Sequence, residues 1–514
     1  MDKSIFVREN RKFWSQFKIK NNGPGLLIEE SGRPMYLHIN AVFAIMINQA
    51  KGYTPIWLGK KNSEEYQILK SYLPDVKTAK KQKKWWFLQL YAIFIAIFKF
   101  IKIVFTKNIV ELSYNGVKYG DIVYDAYLFE NKVATIKKLD LKIIKIIAKC
   151  IFRHIKIKSI LKNEKCAGVL VSHLIGIPCG VMLRCALHYG HEGYLNTAQR
   201  QNLVTFQHFN NLEELNYPYK PFPVDVDQTI KRLGQNLEKT FLEVFETQVA
   251  GKGPSRDSLT AFSKDNKYYN DRTSFNRDYQ LDPSKKNVFI MLHVFNDSPH
   301  SHFRWMIFRD FYDWFVQTLE FARKNNKVNW IFKQHPSIKY YVTQDTNFNK
   351  LLSQRPNNIV YIDENNQIDT RSLIYCADLI ITCVGSTGFE LPALNAIPSI
   401  TAGDNPYANL GFAIEPKTKK EYFEILNKAD KIEKLTHEAQ QRAQAAYVYI
   451  KKFSKVKFHV YPHLSESEEK NRSIDEEYWS KILNQYSTKN DVILKELSDY
   501  IKEIAKPDFK RLTS

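Results

Sequence analysis

Paired cysteines are missing from this sequence. Its six cysteines (Cys150, Cys166, Cys179, Cys185, Cys376 and Cys383) are scattered without CxxC spacing. That pattern argues against a disulfide framework or a zinc site and fits reduced thiols in a cytosolic compartment. The opening MDKSIFVREN has no apolar core of a signal peptide, so export is not expected. Acidic residues are outnumbered: 54 Asp and Glu stand against 75 Lys and Arg, a formal charge of +21. Such an excess asks for an acidic partner, whether nucleic acid, anionic lipid or an acidic glycan, although Lys-, Ile- and Asn-rich usage also reflects genome composition. An RRM-like aromatic signature, zinc spacing and a continuous arginine-rich segment are all absent, so nucleic acid is not expected. There is no internal repeat and no low-complexity tract.

What is present suits a folded protein. The chain is 44% hydrophobic and 14% aromatic, and its 514 residues exceed what one hydrophobic core serves well. Two domains are expected. Residues 1–280 would form the first, interrupted at about 80–162 by a basic helical insertion; 281–450 would form the second, and 451–514 would be helices along the outside.

Residues 23–60 alternate strand and helix. LLIEE follows the Gly23-Pro24-Gly25 turn, MYLHINAVFAIMINQAKG reads as an apolar helix with a glycine stop, and YTPIWLG is the next strand. That order indicates a parallel sheet covered by helices. After KTAKKQKK comes Trp85–Phe105, an apolar run interrupted only by Gln89, Lys99 and Lys102. It is long enough to span a bilayer, though two lysines near its end make a span marginal. Burial in a core would leave the paired tryptophans and flanking lysines unused. An in-plane membrane helix uses both, and is the favoured reading. Leu139–Leu161 repeats the theme, with isoleucines at helical spacing among Lys142, Lys145, Lys149, Lys156 and Lys158. It fits an ordinary amphipathic helix as well as a membrane contact.

Order returns with the strand AGVLVSH, ending in Ser172 and His173, before the helix at Val181–His188. Polar residues where a parallel strand hands over to a helix lie on the sheet's ligand edge, making Ser172 and His173 acceptor or cleft candidates. Residues 225–247 read as helical and 251–285 as a linker or mobile loop.

A second α/β pattern begins at Lys285. NVFIMLHVF, VNWIFKQHP, NIVYID, LIITCVG and PSITAG are strands; HFRWMIFRDFYDWFVQTLEFARKNN and STGFELPALNAI are helices. Three strand ends are polar: His293 to Ser298 with Asp297, then Lys333-Gln334-His335-Pro336, then Gly385-Ser386-Thr387-Gly388-Phe389-Glu390. In a parallel sheet these loops open on one edge. Ser386 and Thr387 would offer hydroxyls and first-turn N–H groups to a phosphate, with Gly385 and Gly388 allowing close approach. Glu390 would accept from ribose hydroxyls. Lys333 brings charge, and His335, stiffened by Pro336, a donor for the developing charge of a departing nucleotide. His293 is a further cleft candidate.

WIFKQHP and GSTGFELPALNAIPSITAG resemble the GT-B glycosyltransferases of bacterial capsule and lipopolysaccharide synthesis, Kdo transferases among them, and more distantly the GT-B sialyltransferases. Those enzymes carry a His-Pro motif on the cytidine nucleotide and a downstream Ser/Thr pair on its phosphate. The likeness spans residues 288–416. It implies two Rossmann-like domains facing a cleft, no essential metal, no cofactor beyond the nucleotide-sugar substrate, and a CMP-activated sugar of the Kdo type as donor. The acceptor would be a growing or lipid-linked surface glycan, and the enzyme would sit peripherally on the cytoplasmic face of the cell membrane, against anionic lipid. The sialyltransferases' acidic motif has no clear copy; His191-Glu192-Gly193 is the nearest string, so Glu192 and Asp297 both stand as catalytic carboxylates beside His335. A CDP-glycerol-type polyol-phosphate transferase and a non-catalytic membrane-associated binding protein are the competing readings.

Overall fold

The computed structural model describes residues 3–31, 34–80, 85–198, 202–215, 220–252, 261–263, 265–300, 305–338, 341, 343–352, 355–365, 367–462 and 475–514. The chain divides into two α/β units: Met1–Ala126 with Leu139–Pro218 and Ser454–Ser514, and Tyr127–Lys138 with Tyr219–Phe453.

The first unit is built on a seven-stranded sheet. Its strands are β1 (Gly25–Ile28), β2 (Thr54–Trp57), β3 (Lys77–Thr78), β6 (Cys166–Val171), β7 (Glu192–Ala198), β8 (Leu203–Phe209) and an edge strand at Val456–Lys457; β4 (Ser113–Tyr114) and β5 (Val117–Lys118) pair apart as a hairpin. Leu26, Leu27 and Ile28 are all buried in succession, the mark of a strand covered on both faces. From β1 the chain steps to β2 and β3 on one side, then returns to place β6 and β7 on the other, all parallel; β8 runs back antiparallel to β7. The strand order therefore reverses between β1 and β6.

The second unit repeats the plan with six parallel strands: β9 (Asn287–Met291), β10 (Asn329–Lys333), β11 (Ile359–Ile362), β12 (Leu379–Thr382), β13 (Ser399–Thr401) and β14 (Ala413–Ile414). Their spatial order is β11-β10-β9-β12-β13-β14, so the reversal falls between β9 and β12. Both units are doubly wound, Rossmann-like folds, as the alternation of strand and helix leads one to expect.

Several boundaries differ from the sequence reading, each for a local reason. The long helix expected from residue 302 begins at Phe311, because the Asp310 carboxylate accepts the Asp313 N–H (2.8 Å) and caps it there; residues 301–304 lie outside the described ones. Residues 219–280 belong to the second unit, not the first. Within the expected 251–285 linker, Arg272–Asp278 is a helix capped by Asp271 and anchored by Arg272 on Asp378 (2.5 Å); residues 253–260 and 264 of that stretch lie outside the described ones. The 225–247 helix is two, Pro223–Leu233 and Leu237–Thr247, broken at Gly234, whose φ of 50° a glycine tolerates.

The C-terminal helices Asp475–Thr488 and Asn490–Ile504 are not an outer layer. Tyr478, Trp479, Ile482, Ile493, Leu497 and Ile504 enter the first unit's core beside Phe6 and Trp14, and Trp14 Nε1 donates to Tyr486 Oη (2.9 Å). The expected insertion carries two basic helices, Trp85–Thr106 and Lys142–Asn163, with the β4–β5 hairpin and the helix Gly120–Asn131 between them. Despite similar sequences they have opposite fates. In Lys142–Asn163 the isoleucine stripe (Ile143, Ile146, Ile147, Ile151, Ile157, Ile160) is buried, so that helix is an ordinary amphipathic core helix; in Trp85–Thr106 only Ala92, Ala96 and Ile103 are buried.

Candidate functional site

The three polar loops of the second unit follow β9, β10 and β12, which are adjacent in the sheet as β10-β9-β12. All three strands are parallel, so the loops emerge on one edge and flank the reversal point, where ligands bind in open α/β sheets. Chain order alone placed Lys333, His335, His293, Ser386 and Thr387 at strand ends. The strand order is what makes their loops neighbours.

The β9 and β12 loops are locked together by His293. Its imidazole is buried, stacks on Phe311 (4.3 Å between ring centroids) and directs Nε2 at Thr382 Oγ1 (3.0 Å) and the N–H groups of Cys383 (3.2 Å) and Val384 (3.3 Å). Nε2 is therefore the acceptor and the ring is neutral; burial, helped by the nearby His335, pulls its pKa down to about 3. Thr382 Oγ1 in turn accepts the Gly385 N–H (3.0 Å). His293 thus braces the phosphate-loop candidate and is not an open cleft group. The glycines have a packing reason too. A Cβ at Gly388 would lie 2.0 Å from Tyr407 Oη, which donates to the Gly385 carbonyl (2.8 Å), and one at Gly385 would lie 2.7 Å from Thr382 Oγ1.

Ser386 is exposed at the start of helix Thr387–Asn395, while Thr387 Oγ1 is buried without a hydrogen-bond partner. Glu390, expected to face a ribose, is instead buried, accepting from Gln248 Nε2 (3.2 Å) with Lys451 Nζ at 3.8 Å. One turn into the helix its side chain is already committed to internal partners, so the ribose role does not hold.

In the β10 loop, Lys333 is buried and its ammonium donates to Gln367 Oε1 (2.6 Å). Burial lowers its pKa to about 8, opposed by the charge of Asp369, so it stays protonated at neutral pH. His335 is half-buried beside Pro336; Ser337 N–H donates to its Nδ1 (3.1 Å), which leaves Nε2 as the donor of the neutral ring. Between them, Gln334 is 1% exposed, and neither its amide oxygen nor its amide nitrogen has a partner. Asn296 Oδ1, in the β9 loop, is likewise buried and unpartnered. Buried polar atoms left open on a ligand edge call for ordered water or an external partner. Asp297 is exposed on the same loop, its N–H closing a turn to the Val294 carbonyl (3.1 Å).

The first unit carries its own polar cluster at the β1/β6 reversal. Glu29, just past β1, is buried: Oε1 accepts from Asn40 Nδ2 (3.1 Å) and the Ser172 N–H (3.1 Å), and Oε2 from the Cys179 thiol (2.6 Å). Asn196 Nδ2 extends the web to Asn40 Oδ1 (2.7 Å). Burial and the Glu29 charge push the Cys179 thiol far above its usual range, which keeps it a donor. Ser172 Oγ pairs with His173 Nδ1 (2.9 Å), and Arg153 Nη1 donates to Glu30 Oε1 (2.6 Å).

Glu192 is nowhere near this edge. It opens β7 at the amino end of the parallel strands, held by Tyr194 Oη (2.6 Å) and by Tyr53 Oη (3.0 Å), which itself precedes β2. Burial opposes ionisation there, yet the nearby His208, whose Nε2 lies 3.7 Å away, and hydrogen bonds from Tyr194 and Tyr53 hold the carboxylate down to about 2. A catalytic role for Glu192 is corrected on position: it faces away from the ligand edge.

No protein-family model and no curated protein matches this chain. Solved structures do. They include the beta Kdo 2,7 transferase KpsC of Thermosulfurimonas dismutans (12% identity, TM-score 0.30, 60% of this chain and 88% of that one). A glycosyltransferase of Rickettsia africae matches at 12% identity and TM-score 0.27, over 95% of this chain and all of that one. MnaA of S. aureus, solved with UDP, matches at 11% and 0.25, over 83% and 92%. Likeness of this degree carries no argument about activity.

Sequence reasoning missed Gln334 and Asn296, because an amide between conspicuous neighbours looks unremarkable until its partners are counted. It also read Glu29 and Glu30 as the tail of a strand. The doubled carboxylate where LLI ends was the available signal: acidic residues at a strand's carboxyl end are costly unless paired or used.

Proposed function

We propose that the chain is a GT-B glycosyltransferase whose second unit binds the nucleotide-sugar donor at the carboxyl edge of β10, β9 and β12. The observation that carries this reading is the set of open polar atoms there: both amide atoms of Gln334, Asn296 Oδ1 and Thr387 Oγ1. In this reading His335 Nε2 and the Lys333 ammonium stabilise negative charge on the departing nucleotide, and Ser386, with Thr387, takes its phosphate at the helix start. A CMP-activated sugar of the Kdo type is the favoured donor, on the resemblance of WIFKQHP and GSTGFELP to enzymes that use one, and no metal or cofactor is required. A growing or lipid-linked surface glycan is the acceptor. Asp297, on the β9 loop of the same unit, is the carboxylate assigned in this reading to the acceptor's proton.

A thermal-shift screen with CMP, CDP, UDP and GDP tests the binding half, since a ligand of the native state raises stability by mass action. Stabilisation by a cytidine nucleotide is expected; indifference to all four sinks the reading. Turnover of the donor so identified should fall about a hundredfold in His335→Ala with the fold intact, the scale of losing a charge-stabilising donor. Product mass separates sugar transfer from transfer of a polyol phosphate.

A further inference from the structure

The apolar surface of helix Trp85–Thr106 has no partner among the described residues, and its geometry points to what covers it. Advancing about 100° per residue, Ala92, Ala96 and Ile103 fall on one narrow stripe, the only residues of the helix that are buried. That stripe packs on the helix Lys142–Asn163, where Lys156 Nζ also lies 5.0 Å from the Trp85 ring centroid. Opposite it, Trp86, Phe87, Leu90, Tyr91, Ile93, Phe94, Ile97, Phe98, Ile101, Val104 and Phe105 are all exposed, Trp86 at 64% and Phe105 at 82%. They fill an arc of roughly 160°. Water-facing apolar area of that extent is a binding surface, not scatter.

Three features choose the occupant. A seam for a second helix is narrow, two positions in seven, whereas this arc takes eleven of the helix's 22 residues. Its aromatic residues are the kind that settle at the lipid headgroup level. Around it, the two packed helices carry nine Lys and Arg residues and no Asp or Glu; Lys102, Lys142, Lys145, Lys149 and Lys158 are exposed. We propose that this face lies in the plane of an anionic lipid bilayer, with Trp85–Thr106 sunk to its aromatic arc and the exposed lysines of both helices meeting phosphate headgroups. At 22 residues the helix is long enough to span. Spanning, however, would strip Ala92 and Ala96 from their packing and draw Lys99 and Lys102 into hydrocarbon. The inference stands apart from the donor site, whose nucleotide affinity is measured without lipid.

The full chain is floated with vesicles of phosphatidylcholine alone or with phosphatidylserine. Co-flotation with the anionic vesicles is expected, weakening as salt is raised. Phe94→Glu with Ile97→Glu, both on the exposed arc, should cut vesicle binding at least about tenfold while leaving nucleotide-induced stabilisation as in the parent. Alkaline carbonate should release the bound protein. Retention after carbonate overturns the in-plane arrangement in favour of a span. Equal flotation of the double variant, or no flotation of the parent, overturns the membrane surface. So does a concentration-dependent dimer of the parent that the same variant abolishes without any vesicle binding, which would give the arc to a second copy.

Discussion

The two units reverse their strand order at equivalent places, β1/β6 and β9/β12, and both put polar side chains there. They differ in how those side chains are satisfied. In the first unit Glu29 is fully engaged, by Asn40, the Ser172 N–H and the Cys179 thiol, although Asn196 Oδ1 and Glu30 Oε2 on the same edge are buried without a partner. In the second, Gln334 is just as deeply buried and both amide atoms are open, as are Asn296 Oδ1 and Thr387 Oγ1. A fully engaged side chain is structure that happens to be polar. An open one stores an unfavourable desolvation that only a ligand or ordered water can relieve. Position at a switch point nominates a site; whether the buried side chain there is engaged, as Glu29 is, or open, as Gln334 is, marks the residue to test.

That contrast is broken most directly by deleting one residue from each edge. Glu29→Ala should destabilise the protein by about 3 kcal/mol, because three donors lose a shared buried acceptor at once. Urea denaturation would read this, with nucleotide-induced stabilisation of the remaining folded protein unchanged. Gln334→Leu should behave in the opposite way. Replacing a buried amide that has no partner by an apolar side chain of similar size leaves stability equal or higher, whereas nucleotide affinity should fall about tenfold, some 1.4 kcal/mol. If Gln334→Leu unfolds the protein as Glu29→Ala does, and binding is untouched, the distinction between the two edges fails.

Much of this was legible beforehand in the second unit. Three of its strands are largely apolar runs followed by polar residues, so the edge expected to carry the chemistry shows in the one-dimensional pattern. The first unit was harder. His191-Glu192-Gly193 looked like a motif, but whether a residue starts or ends a strand depends on where β7 begins, and only the pairing of Gly168 with Glu192 fixes that. The insertion helices make the same point. Trp85–Thr106 and Lys142–Asn163 share a vocabulary of isoleucine and lysine, yet the second buries its isoleucine stripe and the first only Ala92, Ala96 and Ile103, a difference the composition does not show. Glycines misled in a similar way. Gly388 reads as room for a phosphate, yet its missing Cβ is what admits the Tyr407 hydroxyl.

The smallest expected effect concerns pH. His293 in the second unit has its pKa lowered from 6.5 to about 3, by burial and then by His335. Burial likewise lowers His38 in the first unit to about 3, against a favourable Val460 carbonyl, and His154 to about 4, with Lys158 and His188 adding to it. Each binds fewer protons folded than unfolded below pH 6.5, so acid favours the unfolded chain from there down to the folded pKa. Stability should therefore decline as pH falls from 6.5 toward 4. His293→Gln, whose amide oxygen can still accept the Cys383 and Val384 N–H groups, removes one of the three protons from that balance. The slope of unfolding free energy between pH 6 and 5 should flatten by about 1 kcal/mol per pH unit, and nucleotide binding at pH 7.5 should change little if His293 only braces the loop. An unaltered slope would mean that His293 is protonated when folded, which its three N–H and O–H neighbours on Nε2 do not allow.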